Sequence, residues 1–367
     1  MRILVADNHE DGLYKCRGEL IDELLKIAEV FISVPGGKYI QRLVEKGCVF
    51  EELKIARRGM NPFQESMLLI SYAKLLKKIK PDIVLTYSVK PNVYLGYLCG
   101  RKKIPYIANV TGLGSSIQDN GFAARLVLFL YKIGLKKASM VFCQNKANHD
   151  FLLQHSIIRG PSKLIHGSGV NLEAHCFEDY PPETREIRFL TIGRIMKDKG
   201  IDELLEASRI VKSRYPDASF SLIGFYDGNY KEKIERAEKE GLVKFYGHQD
   251  DVHFFIKNCH AVIHPSYHEG MANALLESAS SGRPVIATDV PGCIEAFDPG
   301  ISGISCKPKD SKDLAQAIIT FIDLPYSEKI KMGIAGRKKM EMEFDRRIII
   351  SLYMKEINEI EKRALTT

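Results

Sequence analysis

No apolar run in this 367-residue chain is long enough to cross a bilayer. The longest, Leu126 to Tyr131, falls far short of the roughly 20 residues required. The first residues, Met1-Arg2-Ile3-Leu4-Val5-Ala6-Asp7, form a short apolar stretch ended by an acid. They lack the hydrophobic region of a secretory signal and read as a first buried strand. Eight cysteines are scattered without a C-x-x-C pair, which argues against a zinc site and a thioredoxin-like motif. Reduced thiols in a cytosol fit that pattern. No G-x-G-x-x-G follows the first strand, where only Gly12 lies nearby, so a Rossmann oxidoreductase is disfavoured. No set of His and Asp is clustered for a metal ion. The formal charge of +7 is too sparse for a dedicated nucleic-acid binder. Phosphate or an anionic membrane surface is the expected partner.

What is present is balanced: 45% hydrophobic and 27% charged residues, in a chain too long for one ordinary core. Short β-branched runs alternate with helical patterns, from Ile3–Ala6, Tyr14–Ala28, Val30–Val34 and Tyr39–Lys46 as far as Met140–Gln144. A second series starts at Ile187–Ile192 and continues through Asp202–Lys212, Ser219–Ile223, Lys231–Lys239, Val243–Tyr246, Val252–Asn258 and Val262–His264. Such alternation predicts α/β architecture, two Rossmann-like domains each with a parallel sheet flanked by helices. Between the series, Asp179-Tyr180-Pro181-Pro182-Glu183-Thr184 cannot continue a helix and reads as a linker. The expected domains are 1–180 and 185–343, with a final helix in 344–367 that crosses back to the first domain.

In open α/β sheets ligands collect at the carboxyl ends of strands. The strand Phe189–Ile192 runs into Gly193-Arg194-Ile195-Met196-Lys197-Asp198-Lys199-Gly200. A guanidinium and an ammonium at that strand end suit a diphosphate, although a solvated basic turn explains them equally well. After Val262–Ser266, the segment Glu269-Gly270-Met271-Ala272-Asn273-Ala274-Leu275-Leu276-Glu277 turns at glycine and enters a helix. Its two carboxylates, spaced E-x7-E, can face one crevice and bind hydroxyls. The amides of Met271, Ala272 and Asn273 would form a helix amino terminus suited to an anion. Alone, Glu277 reads more readily as a first-turn acid favoured by the helix dipole. The two constellations in one Rossmann unit reverse that preference, because one would hold phosphates and the other sugar hydroxyls.

Gly193-Arg194 with Lys199-Gly200, and Pro265-Ser266, Glu269-Gly270, Leu276-Glu277 and Gly282-Arg283-Pro284-Val285-Ile286-Ala287-Thr288, resemble the signature of glycosyltransferase family 4. Arg58-Gly59-Met60-Asn61-Pro62, Lys90-Pro91-Asn92 and Thr111-Gly112-Leu113-Gly114-Ser115 resemble bacterial members that build capsule, O-antigen or lipid-linked glycans. The resemblance implies the GT-B fold, two domains facing across a cleft, and retention of anomeric configuration. It implies Arg194 and Lys199 on the diphosphate of a nucleotide sugar, UDP by family, Glu269 on the donor sugar and Glu277, beside Leu276, on the ribose. Gly193, Gly270 and the backbone of Met271–Asn273 would contact phosphates and sugar, and Gly247-His248 would lie near the base. There is no D-x-D to hold a divalent ion, so neither a metal nor a cofactor is expected. Two departures stand out: Met271 replaces an aromatic residue, and no histidine occurs in Asn109-Val110-Thr111-Gly112. His9, in the first strand-end loop, could face the acceptor, although a capping or surface role is the simpler reading. A nucleotide-sugar 2-epimerase of the same architecture, or a silent sugar-nucleotide sensor, remains as an alternative.

The segment Gly121 to Met140 sets Phe122, Leu126, Val127, Phe129, Leu130 and Ile133 beside Arg125, Lys132 and Lys136. On a helix the three basic residues share a face. A core-packed helix with a solvated edge would give the same pattern. Since acceptors in the family are often polyprenyl-diphosphate sugars, docking on the anionic inner face of the cytoplasmic membrane is the expectation, with no nucleic acid.

Overall fold

The computed structural model describes residues 1–53, 61–113 and 121–365, so Arg58-Gly59-Met60 and Gly114-Ser115 of the first-domain motifs lie outside the described residues. The chain divides into two compact units, Met1–Ser168 with Arg347–Thr367, and Gly169–Arg346.

In the first unit, strands β1 (Arg2–Ala6), β2 (Glu29–Val34), β3 (Val49–Glu52), β4 (Ile83–Tyr87), β5 (Tyr106–Val110), β6 (Met140–Cys143) and β7 (Ser162–Leu164) form a sheet of order β3-β2-β1-β4-β5-β6-β7. Every pairing is parallel. The central strands are apolar runs because helices cover both faces. Alternation along each strand then divides the side chains between two cores. Leu4, Ala6, Val84, Ala108 and Val141 pack on one side. Ile3, Val5, Ile83, Leu85, Ile107 and Phe142 pack on the other. The final helix, Arg346–Leu365, joins the latter core through Ile349, Tyr353, Ile357 and Ile360, one stripe of an amphipathic helix. Its Tyr353 hydroxyl donates to Asn109 Oδ1 in β5. Among the described residues no helix is long and apolar enough to cross a membrane.

The second unit carries β8 (Arg188–Ile192), β9 (Ser219–Ile223), β10 (Lys244–Phe245), β11 (Ala261–His264), β12 (Val285–Thr288) and β13 (Gly303–Cys306), again all parallel, in the order β10-β9-β8-β11-β12-β13. The chain builds outward from β8 to β10, then returns to place β11 on the other side of β8. That reversal makes the carboxyl ends of β8 and β11 the topological switch point, the favoured place for a ligand in an open sheet.

The division at Ser168 and Gly169 falls upstream of the proline segment at which the sequence suggested it. Residues 178–183 are instead fastened to the second unit. The fully buried Arg283 donates to the carbonyls of Glu178 and Asp179, Tyr180 donates to His260 O, and Tyr326 donates to Pro181 O. The proline pair lies in a stretch without helix or strand and does not separate the two units. No two of the eight cysteines form a disulfide.

His260 offers a test of this packing. It is 1% exposed, and its Nδ1 accepts the Arg188 amide at 3.0 Å. Burial first, then the Arg188 charge, lowers its pKa from 6.5 to about 4. The unfolded chain therefore takes up a proton near pH 6.5 that the folded protein refuses until about pH 4. Stability should fall as the pH drops across that window, by about 3 kcal/mol in total, and the contribution vanishes above it. His260→Asn keeps an acceptor for the amide and should remove about one proton from the pH dependence of denaturant unfolding. An unchanged slope would show that His260 does not titrate in this way.

Candidate active site

The loop after β8 begins at Gly193, whose amide donates to Ile223 O at 3.0 Å. A Cβ on Gly224, just after β9, would stand 1.7 Å from Gly193 O, so the two backbones approach as only glycine permits. Gly224 in turn donates to Gly247 O at 2.9 Å. The ends of β8, β9 and β10 thus line up as three glycines, and nothing lies within 4 Å of where a Cβ would sit on Gly193 or Gly247. This edge is open for a flat or phosphate-bearing ligand. His248, beside Gly247, is half exposed and 3.3 Å from Asp250.

Arg194 Nη1 donates to Asp227 Oδ2 at 2.9 Å, which orients the guanidinium while leaving its side chain 38% exposed. Lys199 closes a short turn, Lys197–Lys199. Gly200 follows with φ +68°, and a Cβ there would meet Pro265 O at 2.0 Å. The loops from β8 and β11 are therefore pressed together, and the Tyr267 amide donates to Asp198 O at 2.9 Å.

This contact brings Lys199 onto Glu269. The ammonium donates to Glu269 Oε1, and His264, the last residue of β11, bonds the same oxygen at 2.8 Å through Nε2. Burial alone would push the Glu269 carboxyl up. The Lys199 charge and the His264 bond overcome that and hold it well below the usual carboxylate range. Glu269 is consequently an ionised, acceptor-only group, suited to binding hydroxyls and unsuited to donating a proton.

The segment that follows is braced by backbone bonds: Glu269 donates to Pro291 O at 3.3 Å and Ala272 to Gly292 O at 2.8 Å. The Ala272 amide is therefore committed to Gly292, and the row of three free amides expected at Met271–Asn273 is not what forms. Gly270 is half-buried in the turn, Asn273 starts the helix Asn273–Ser280, and the side chains of Met271, Ala272 and Leu276 enter the core. Leu276 also gives its amide to Ala272 O, so both its ends serve the fold. Glu277 lies in the helix at 25% side-chain exposure, 4.0 Å from His175 Nε2.

The structure thus brings together Lys199 and Glu269, both named from the sequence, and adds His264 beside them, Asp227 on Arg194 and His175 near Glu277, none of which the sequence reading named. For His264 a signal existed, an imidazole closing an otherwise apolar strand five residues before an acid. Asp227 had none, because its partner lies on another strand-end loop.

The fold is that of the GT-B glycosyltransferases. Anabaena HepE, solved with UDP and glucose, superposes with a TM-score of 0.78 at 18% identity, over 98% of this chain and 99% of that one. Residues 176–339 match the profile of glycosyl transferases group 1, and residues 3–145 match that of glycosyl transferase 4-like proteins. A Campylobacter jejuni N,N'-diacetylbacillosaminyl-diphospho-undecaprenol alpha-1,3-N-acetylgalactosaminyltransferase is 29% identical over 99% of this chain and 100% of its own. The capsular polysaccharide biosynthesis glycosyltransferase CapM of Staphylococcus aureus is 30% identical over 43% of this chain and 42% of its own. The chain belongs to glycosyltransferase family 4.

Proposed function

We propose that this glycosyltransferase moves a hexose or N-acetylhexosamine from a UDP-sugar to a polyprenyl-diphosphate-linked saccharide, with retention of configuration and without a catalytic metal ion. The observation that carries the proposal is the Lys199–Glu269–His264 cluster at the switch point of the second sheet. In this reading Lys199 and Arg194 compensate the charge of the departing diphosphate as the glycosidic bond breaks, fixed donors acting where charge develops. Glu269 holds donor-sugar hydroxyls, and Glu277 takes the ribose hydroxyls. The open edge at Gly193 and Gly247 receives the nucleotide, while Gly270, Met271, Ala272 and Asn273 form the wall beside the sugar. The whole-length likeness to the Campylobacter enzyme supports a lipid-linked acceptor.

Docking on an anionic membrane face completes the proposal. On the first unit, Arg101, Lys132, Lys136, Lys137 and Arg159 surround an open depression of about 360 Å³ whose walls include Phe129 and Ile133. Phe129 is 58% exposed, and among the described residues no acid lines the depression. Arg125 is exposed but does not line it. Cations around exposed apolar side chains suit phospholipid headgroups over acyl chains, each cation adding about 1 kcal/mol near such a surface.

The test is a thermal-shift screen of UDP-, GDP- and ADP-sugars, followed by turnover with an undecaprenyl-diphosphate saccharide in phosphatidylglycerol vesicles without magnesium or manganese. One UDP-sugar should raise the melting temperature, Arg194→Ala should weaken that effect, and the product should keep the donor's anomeric configuration. Lys132→Glu with Lys136→Glu should lower turnover on vesicles and leave UDP-sugar binding intact. No sugar nucleotide binding, or turnover that requires added magnesium, overturns the reading.

A further inference from the structure

Away from the residues assigned to donor binding, three side chains of different chemistry converge in the second unit. Cys176 and Glu178 precede β8, and His253 opens the helix His253–Asn258. Cys176 Sγ lies 3.6 Å from Glu178 Oε1 and 3.8 Å from His253 Nε2, while His253 Nε2 lies 2.9 Å from Glu178 Oε1. A thiolate, an imidazole and a carboxylate on one tetrahedral zinc ion stand about 3.3 to 3.6 Å apart, given metal–ligand distances of about 2.0 to 2.3 Å. The sulfur edges of the triangle, 3.6 and 3.8 Å, are already close to that size. The nitrogen–oxygen edge needs to open by only a few tenths of an ångström.

Hydrogen-bond roles add an independent argument. Ser281 Oγ donates to Glu277 O at 2.9 Å, so towards His253 Nδ1, 3.3 Å away, it acts as acceptor. The ring hydrogen then sits on Nδ1, and Nε2 presents its lone pair to Cys176 and Glu178. An imidazole lone pair and a carboxylate oxygen at 2.9 Å require a cation between them, either a second ring proton or a metal ion. Ser281 plays the part that outer partners play in metal sites, fixing the tautomer and the ring plane. Lys257 takes the other oxygen of Glu178, Oε2, at 3.0 Å and leaves Oε1 to the cluster. Cys176 is exposed, whereas the side chains of Glu178 and His253 are 17% and 21% exposed, so an ion can enter from solvent onto a held pair.

We propose that Cys176, Glu178 and His253 bind a borderline-soft divalent cation of the zinc type, with a water molecule in the fourth position. The sulfur and nitrogen donors select zinc or cobalt over magnesium or calcium. The ion would tie the segment before β8 to the helix at 253 and, through Ser281, to the end of the helix that carries Glu277. This role is structural and separate from the chemistry of transfer. It does not depend on the proposed donor or acceptor. A search for short cysteine and histidine spacings misses it because His253 is remote in sequence from the other two.

The experiment uses the full-length protein, kept reduced and stripped with a chelator, then titrated with Co²⁺. One equivalent should bind, giving a sulfur-to-cobalt charge-transfer absorption in the near ultraviolet and the intense visible bands of tetrahedral cobalt, both abolished by Zn²⁺. Cys176→Ser should lose the charge-transfer band. His253→Ala should lose the tetrahedral bands, and Ser281→Ala should weaken cobalt binding about tenfold or more. Far-ultraviolet circular dichroism and the metal-free melting temperature establish that each variant is folded. Failure of the folded wild type to bind one equivalent, or a spectrum unchanged in Cys176→Ser or His253→Ala, overturns the proposal.

Discussion

Lys199→Ala is expected to lower turnover about 10²- to 10³-fold, the range seen when one fixed donor is removed from a developing anion. The same change should destabilise the second unit by about 3 kcal/mol, because it strips a buried carboxylate of its cation. Glu269 is held ionised against burial chiefly by Lys199, and the pair lies largely out of solvent. Folding depresses the Glu269 pKa, so the stabilisation is complete above its ordinary value near 4.3 and is lost as the pH falls from there through the depressed value. The two effects of the substitution separate in the double variant Lys199→Ala with Glu269→Gln. A neutral amide needs no counter-charge, so much of the stability should return while turnover stays low. Steady-state kinetics with the identified donor and chemical unfolding measure the two quantities. Turnover of Lys199→Ala within about fivefold of wild type would remove Lys199 from the chemistry and leave it a structural partner of Glu269.

Arg283→Met should lower stability by about 4 kcal/mol or more and the melting temperature of the second unit by about 10 °C. The guanidinium is fully buried, and its donors reach the carbonyls of Ile256, Glu178, Ser281, Asp179 and Lys257 at 2.8 to 3.2 Å. Methionine fills the volume but leaves those acceptors dry, and each unsatisfied buried acceptor costs about 1 to 3 kcal/mol. Arg283→Lys should recover less than half of the loss, since an ammonium cannot span the planar fork. The free segment should also become a protease target at residues 178–183, which limited proteolysis reads directly. A melting temperature within about 2 °C of wild type would mean that water replaces the guanidinium without penalty.

Arg283 also shows where reading the sequence stops. Its place in Gly282-Arg283-Pro284 was visible as part of a family motif, yet nothing local marks it as the clamp that draws residues 178–183 onto the second unit. The proline pair was read correctly as a segment that is not helical, since residues 176–184 carry no helix and proline lacks the amide a helix needs. It was read too far as a domain boundary, because the boundary depends on which carbonyls a distant guanidinium collects. The helix amino terminus at Met271–Asn273 behaves similarly. Glycine and the following apolar run predicted the turn and the helix, but the Gly292 carbonyl that claims the Ala272 amide lies beyond another strand.

By itself the sequence determined the alternation of strands and helices, the parallel sheets and the two strand-end loops that hold Arg194, Lys199 and Glu269. Those features follow from side-chain periodicity and turn residues, which act between near neighbours. Only the tertiary structure decided that Lys199 meets the Glu269 carboxylate that His264 also bonds, that Asp227 orients Arg194, and that Ile349, Tyr353, Ile357 and Ile360 are the residues by which the last helix, expected from the sequence to return to the first domain, packs there. Each of these joins residues that are remote in sequence or lie on separate loops. Such contacts are selected by how whole layers pack, so no short window of sequence contains both partners and the reason they meet.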